Sequence, residues 1–231
     1  MAKSLKQENC RQCDKVVDIF KALSKEESEL LNQNRFEVEF NAGETILKQG
    51  TSFTHIICLS HGLVKVYLEG YDRRNLIIAL IRGGELLDGP GMWTDDRHHF
   101  SVVAVENTTA CFVEFPVFQK VFSSNSALAQ LMIRRSNEMN IRHFRKMICL
   151  TQKQMHGKVA DTLLYLNKNI YPTNPMRLTI SRQDMADIVS LTKESLIRVL
   201  KEFREGGLVS VEGNEIGILD EKVLANISEN G

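Results

Sequence analysis

Lys193, Glu194, Ile197, Arg198 and Lys201 recur at three- and four-residue steps within "SRQDMADIVSLTKESLIRVLKEF", residues 181–203. On an α-helix that spacing sets them along one face. An Arg side chain can bond N7 and O6 of one guanine, a Glu can accept from cytosine N4, and an apolar side chain can touch a thymine methyl. Such a face is equipped to read base edges in duplex DNA. The plainer alternative is a solvated Glu194–Arg198 ion pair four residues apart, worth under about 1 kcal/mol. The pair alone does not decide between them, and the elements that carry it must.

The apolar residues predict two helices, Arg182–Ser190 and Thr192–Arg204. Met185, Ile188, Val189, Leu191, Leu196, Val199, Leu200 and Phe203 then turn inward. Ser181 caps the first helix, with Asp184 three residues on. Thr192 caps the second, with Ser195 at the third helical position. In a helix-turn-helix the second helix enters the major groove with its N-terminal residues at the bases. Upstream, "HGKVADTLLYLNKNI" is an amphipathic helix, "YPTNP" breaks the chain and "MRLTI" is a short strand. Downstream, "GGLVSVEGNEIGILD" reads strand–turn–strand about Gly213-Asn214. The whole is a winged helix-turn-helix over residues 153–231. Its candidate DNA contacts are Ser181, Arg182 and Thr192 at the helix starts, the outward face of the second helix, and Asn214 in the wing.

Earlier in the chain the periods are different. Residues 1–15 are polar, and helical spacing runs from Val16 to Gln33, with Ser24 and Glu27 as a capping box ahead of Leu30 and Leu31. From residue 35 the alternation is twofold, as at Val38 and Phe40 or Val64 and Val66, and Gly43, Gly50, Gly62 and Gly70 interrupt it. Many short strands between turn signals indicate a sandwich or roll, assigned to residues 16–120. Residues 121–152 contain neither Gly nor Pro, and 126–152 predict a helix of roughly 40 Å. Leu128, Leu131, Met132, Met139, Phe144, Met147 and Leu150 lie near helical steps on it. That stripe is longer than a roll at one end can cover, so a second copy of the helix is the expected partner, against a helix packed within one monomer. The fold class is α+β.

Lys+Arg and Asp+Glu balance at 29 each, so any nucleic-acid affinity must come from a local patch. No apolar run approaches the roughly 20 residues of a membrane span, and "MAKSLKQENCRQC" lacks a signal-peptide core; the cytoplasm is expected. The five cysteines are too scattered for a disulfide framework. No nucleophile–base set, P-loop or HExxH occurs, and His55, His61, His98 and His99 lack metal-ligand spacing, so no enzyme is expected.

With these motifs together, and "LTISRQDMADIVSLTKESLIRVLKEFREGGLV" above all, the chain resembles the Crp/Fnr family of bacterial transcription regulators along nearly its whole length. The resemblance implies a homodimer joined through the long helix, with a jelly-roll sensor of the cyclic-nucleotide-binding type and RNA polymerase as a partner. It also implies half-sites containing TGA, read by the Glu-x-x-x-Arg of Glu194 and Arg198. In the cyclic AMP branch a Gly-Glu and a later Arg followed by a small hydroxyl residue hold the phosphate. Here Gly84 and Glu85 are present, but Arg97 is followed by His98, His99 and Phe100. These bulky rings would crowd a phosphate, so cyclic nucleotide binding is not expected; Arg97 then pairs with Asp95 or Asp96. His98 and His99 are a haem or metal pair, or solvated loop residues. The iron–sulfur branch needs four thiolates. Cys10 and Cys13 match the first two; Ile19 stands near the third position, and Cys111 falls short of the fourth. Cys58, Cys111 and Cys149 read as small core residues, while Cys10 and Cys13 remain a metal, redox or roleless surface pair. No cofactor is identified, and a cyclic-nucleotide module regulating a partner enzyme leaves the C-terminal third unexplained.

Overall fold

A computed structural model describes residues 18–231. The polar start and the Cys10–Cys13 pair lie outside the described residues. The chain forms two compact units, one of residues up to Leu68 with Leu80–Asn140, the other of Glu69–Ala79 with Ile141–Gly231.

The first unit opens with a 3-10 turn, Asp18–Ala22, and helix α1, Lys25–Gln33. The helical spacing read from Val16 therefore breaks before Ser24. There Ser24 Oγ accepts from the Glu27 amide, and the Glu27 carboxylate accepts from the Ser24 amide. Local capping satisfies donors that a helix start otherwise leaves open. Leu31 is buried and Leu30 packs partly against the same core.

Eight strands follow: β1 Arg35–Phe40, β2 Thr45–Leu47, β3 His55–His61, β4 Leu63–Glu69, β5 Asn75–Arg82, β6 Glu85–Leu87, β7 Ser101–Ala104 and β8 Thr108–Glu114. They make two four-stranded sheets, ordered β1-β8-β3-β6 and β2-β7-β4-β5. Ile57 faces Phe112 across one antiparallel pair and Val66 faces Val102 across another. The alternation at Val64 and Val66 buries both. On β1 it is weaker: Val38 and Phe40 are half-buried, Phe36 is 42% exposed and Arg35 is the buried side chain. Gly62 shows why a turn needs glycine, since its φ is +96° and a Cβ would lie 2.4 Å from Thr108 Oγ1.

One sheet's outer face, with Ile56, Cys58, Cys111 and Val113, packs beneath Ile19, Leu31, Phe118, Leu128 and Met132. Helix α2, Phe115–Ser124, precedes the long helix α3, Ser126–Gln152. The break is at Asn125, whose backbone is extended and whose Oδ1 accepts from the Leu128 amide. The long helix thus starts at Ser126, as the sequence predicts, and an Asn cap separates it from α2 within the 121–152 segment.

The second unit contains α4, Met155–Tyr165, a π turn at Leu166–Ile170, and β9, Met176–Arg177. Then come α5, Arg182–Val189, α6, Lys193–Glu205, the hairpin β10, Val209–Glu212, with β11, Glu215–Ile218, and α7, Glu221–Asn230. The sheet order is β10-β11-β9. Val159, Leu163, Met185, Val189, Leu196, Val199 and Leu224 form its interior. Helix α7 was not anticipated from the sequence. Among the described residues no helix is long and apolar enough to cross a membrane.

Candidate nucleic-acid interface and sensor site

Helix α6 is held in place by its apolar side. Leu196, Val199, Leu200 and Phe203 are at most 4% exposed. Thr192 caps it, Oγ1 accepting from the Ser195 amide at 3.2 Å. Ser190, at φ +53°, ends α5 in the left-handed region and turns the chain toward α6. With that face committed to the core, Lys193, Glu194, Ile197, Arg198 and Lys201 all stand exposed on the other side.

The charges on that face are organised differently from the expectation. Arg198 does not pair with Glu194; its Nε lies 3.9 Å from Glu202 Oε1, one turn toward the C-terminus. Glu202 also holds His156 Nε2 of α4 at 2.5 Å. The helix therefore tilts its Arg side chain away from Glu194, whose carboxylate makes no ion pair among the described residues. Lys201 has the same relation to Glu205, at 3.7 Å. Glu202 was legible four residues past Arg198; His156 was not, being distant in sequence.

Of the other expected DNA contacts, Ser181 is exposed but its hydroxyl is engaged as the α5 cap with Asp184. Arg182 is half-buried, and its Nη2 donates to the Gly213 carbonyl of the wing turn at 2.8 Å. Burial pulls its guanidinium below the usual range. The bond braces α5 against the wing. Asn214 is exposed at the tip, beside Gly213 at φ +57°.

Within the second unit, Lys146 of α3 donates from Nζ to the Ile188 carbonyl in the last turn of α5. Burial lowers its ammonium to about 8, partly opposed by Cys149 and Asp161. A cation on a helix's C-terminal carbonyls is favourable placement.

The residues of the expected dimer stripe on α3 differ in exposure. Met132 and Leu128 are buried in their own unit's core, Leu131 packs partly on it, and Met139 is half-buried. The exposed apolar residues are Ile133 on the first unit's segment and Ile141, Phe144, Met147 and Ile148 on the second's, each between 49 and 60% exposed. The sheet's helices claim Leu128 and Met132, and only the packed fold reveals which stripe is left over.

Each expected effector residue has its own partners. Glu85 Oε2 accepts from Arg135 Nη1 of α3 at 2.7 Å, and Arg135 also reaches the Leu86 carbonyl and the buried Asp88. Gly84, at φ +96°, makes the turn before it. Arg97 pairs with neither Asp95 nor Asp96 through its side chain; Nη1 donates to the Gly50 carbonyl at 2.9 Å. Asp95 accepts instead from His99 at 3.1 Å, a bond that lowers the carboxyl's pKa. His98 is not a solvated loop residue. It is 6% exposed, its ring tilted against Phe53 with centroids 4.9 Å apart, and burial lowers its pKa. It lines a cavity of about 380 Å³ with Thr45, Lys48, Thr51, His55 and Phe112, a volume within the range of ligand sites. Among the described residues no cluster of three His, Cys, Asp or Glu is arranged for a metal.

A β-roll, a long helix and a capped recognition helix with a wing define a DNA-binding regulator with an effector-type domain. Comparison with known proteins agrees. Residues 37–125 match the cyclic nucleotide-binding domain and residues 157–227 the Crp-like helix-turn-helix domain. The chain is similar to the nitrogen fixation regulation protein FixK of Bradyrhizobium diazoefficiens, 27% identical over 79% of this chain and 78% of that one. It is also similar to the transcriptional activator protein Anr of Pseudomonas protegens, at 25% identity over 77% and 74%. It shares its fold with FixK2 from Bradyrhizobium japonicum, TM-score 0.75 at 21% identity, covering 83% of this chain and 96% of that one. A Crp/Fnr-family regulator from Eubacterium rectale gives 0.78 at 16%, covering 92% and 98%. The chain belongs to the Crp/Fnr family of transcription regulators.

Proposed function

We propose that the protein works as a homodimer that reads a palindrome with TGA-containing half-sites through α6. Arg198 and Glu194 specify bases, Lys193 and Ile197 contribute beside them, and Lys201 with the wing at Asn214 positions the phosphate backbone. The observation that carries this is the two-sidedness of α6: one face buried to at most 4%, the other bearing Lys193, Glu194, Ile197, Arg198 and Lys201 in solvent. The dimer seam is the exposed stripe of Ile141, Phe144, Met147 and Ile148. Residues 16–120 sense the signal, 121–152 connect and dimerise, and 153–231 bind DNA. The protein acts in the cytoplasm with RNA polymerase, and its effector is a small molecule or a redox signal.

Two reading helices related by a dimer axis contact half-sites about 34 Å apart, one turn of DNA. Selection from a random duplex library should therefore return a palindrome containing TGA at that spacing. Recovery of a single unpaired half-site, or of no motif, counts against the reading. Phe144→Glu should give a monomer by sedimentation and abolish selection; a variant still dimeric at micromolar concentration places the seam elsewhere.

A further inference from the structure

We propose that Cys58 and Cys111 form a cross-strand dithiol in the sensor unit that a peroxide closes into a disulfide. Cys58 on β3 and Cys111 on β8 are direct register partners. Neither is in a disulfide, and they are 6 and 7% exposed, in the core beneath the helices. Opposed residues of antiparallel strands have Cα atoms about 4.5 or 5.5 Å apart and side chains on one face. A disulfide spans Cα separations of about 4.4–6.8 Å and Cβ separations of about 3.5–4.5 Å, and opposed strand residues hold their Cβ atoms about 4.5–5.5 Å apart, so closure takes side-chain rotation with a small approach of β3 and β8.

The surroundings assign the two roles. Arg35, itself buried, donates from Nη1 to Cys111 Sγ at 3.2 Å and from Nε to Asn32 Oδ1 at 3.0 Å. The same Nη1 lies 3.6 Å from Glu37 Oε1, so the cation is shared; its donation to Sγ is what favours the thiolate, the nucleophilic form. Cys111 thiolate attacks one peroxide oxygen; the S–O bond forms, the O–O bond breaks, and hydroxide leaves to take up the proton that Cys111 had lost. The Cys58 thiol then attacks that sulfur; the S–S bond forms, the S–O bond breaks, and the hydroxide leaves with the Cys58 proton. Two thiols and one peroxide become one disulfide and two waters. Burial, and next the charge of Cys111, hold the Cys58 thiol well above its usual range. Conversion of Cys111 to a neutral sulfenic acid removes the second influence, so the resolving thiol becomes easier to ionise once it is needed. Cys149 is also buried, and Cys58 and Cys111 are held in the other unit, so it serves as the internal control.

The test uses the full chain with Cys10→Ser and Cys13→Ser, treated with hydrogen peroxide while folded, then unfolded and alkylated for peptide mass spectrometry. The expected product joins the Cys58 and Cys111 peptides with the loss of two hydrogens, releases them on reduction, and leaves Cys149 alkylated. With Cys58→Ala, Cys111 should instead be trapped by dimedone as the sulfenic acid. If both thiols in the chain that retains Cys58 alkylate as fully as in untreated protein, or Cys149 oxidises as readily, the pair is only core packing.

Discussion

Two arginines place the sensor and the reading helix in contrast. Arg135 is 17% exposed and committed to Glu85, Asp88 and the Leu86 carbonyl. Arg198 is 60% exposed, with one carboxylate at 3.9 Å. The first is a fixed part of its unit, because a buried Asp88 needs a cation beside it. The second keeps its donors in water, loosely tethered, as the base contact proposed for it requires. Burial, rather than residue type, separates a fixed charge from an available one.

The contrast is broken most forcefully at Arg135. Arg135→Met leaves Asp88 buried without its cation and should cost about 3–5 kcal/mol of stability, read as a fall in the urea midpoint. Adding Asp88→Asn should recover much of that loss. Arg198→Met should move the same midpoint by less than about 1 kcal/mol, because an exposed pair is worth little. Equal losses at both sites would end the distinction.

Lys146 lies between these cases, partly buried with its Nζ on the Ile188 carbonyl. The folded protein holds this ammonium at about 8 against an ordinary 10.5. The unfolded chain therefore binds the extra proton across that window, and stability rises with pH between the two values. The difference is worth about 3 kcal/mol. Urea titrations from pH 8 to 10.5 should show wild type gaining that much relative to Lys146→Met; parallel curves would mean the amine is solvated.

At the reading face the effects are smaller and concern DNA. Arg198→Ala should cost about 1–3 kcal/mol on a TGA half-site and flatten the preference for its guanine. Lys201→Ala should weaken all sequences alike and reduce the salt slope by about one. If Arg198→Ala selects the wild-type motif at wild-type strength, Arg198 is merely half of its pair with Glu202.

What could be read directly from the chain is what neighbours within a few residues decide. Ser24 with Glu27 and Ser181 with Asp184 close capping boxes over three residues. Twofold alternation, positive-φ glycines and the apolar spacing of α5 and α6 likewise act locally, which is why the roll, the recognition helix and its outward residues were legible. The fold alone decided the rest, because burial depends on elements distant in sequence. Arg135 meets Glu85 across 50 residues and Lys146 meets Ile188 across 42. The same holds for His98 turned inward, Met132 withdrawn from the dimer stripe, and Cys58 set opposite Cys111. No periodicity records such pairings, since they are fixed by sheet register and by which helix face the core takes first.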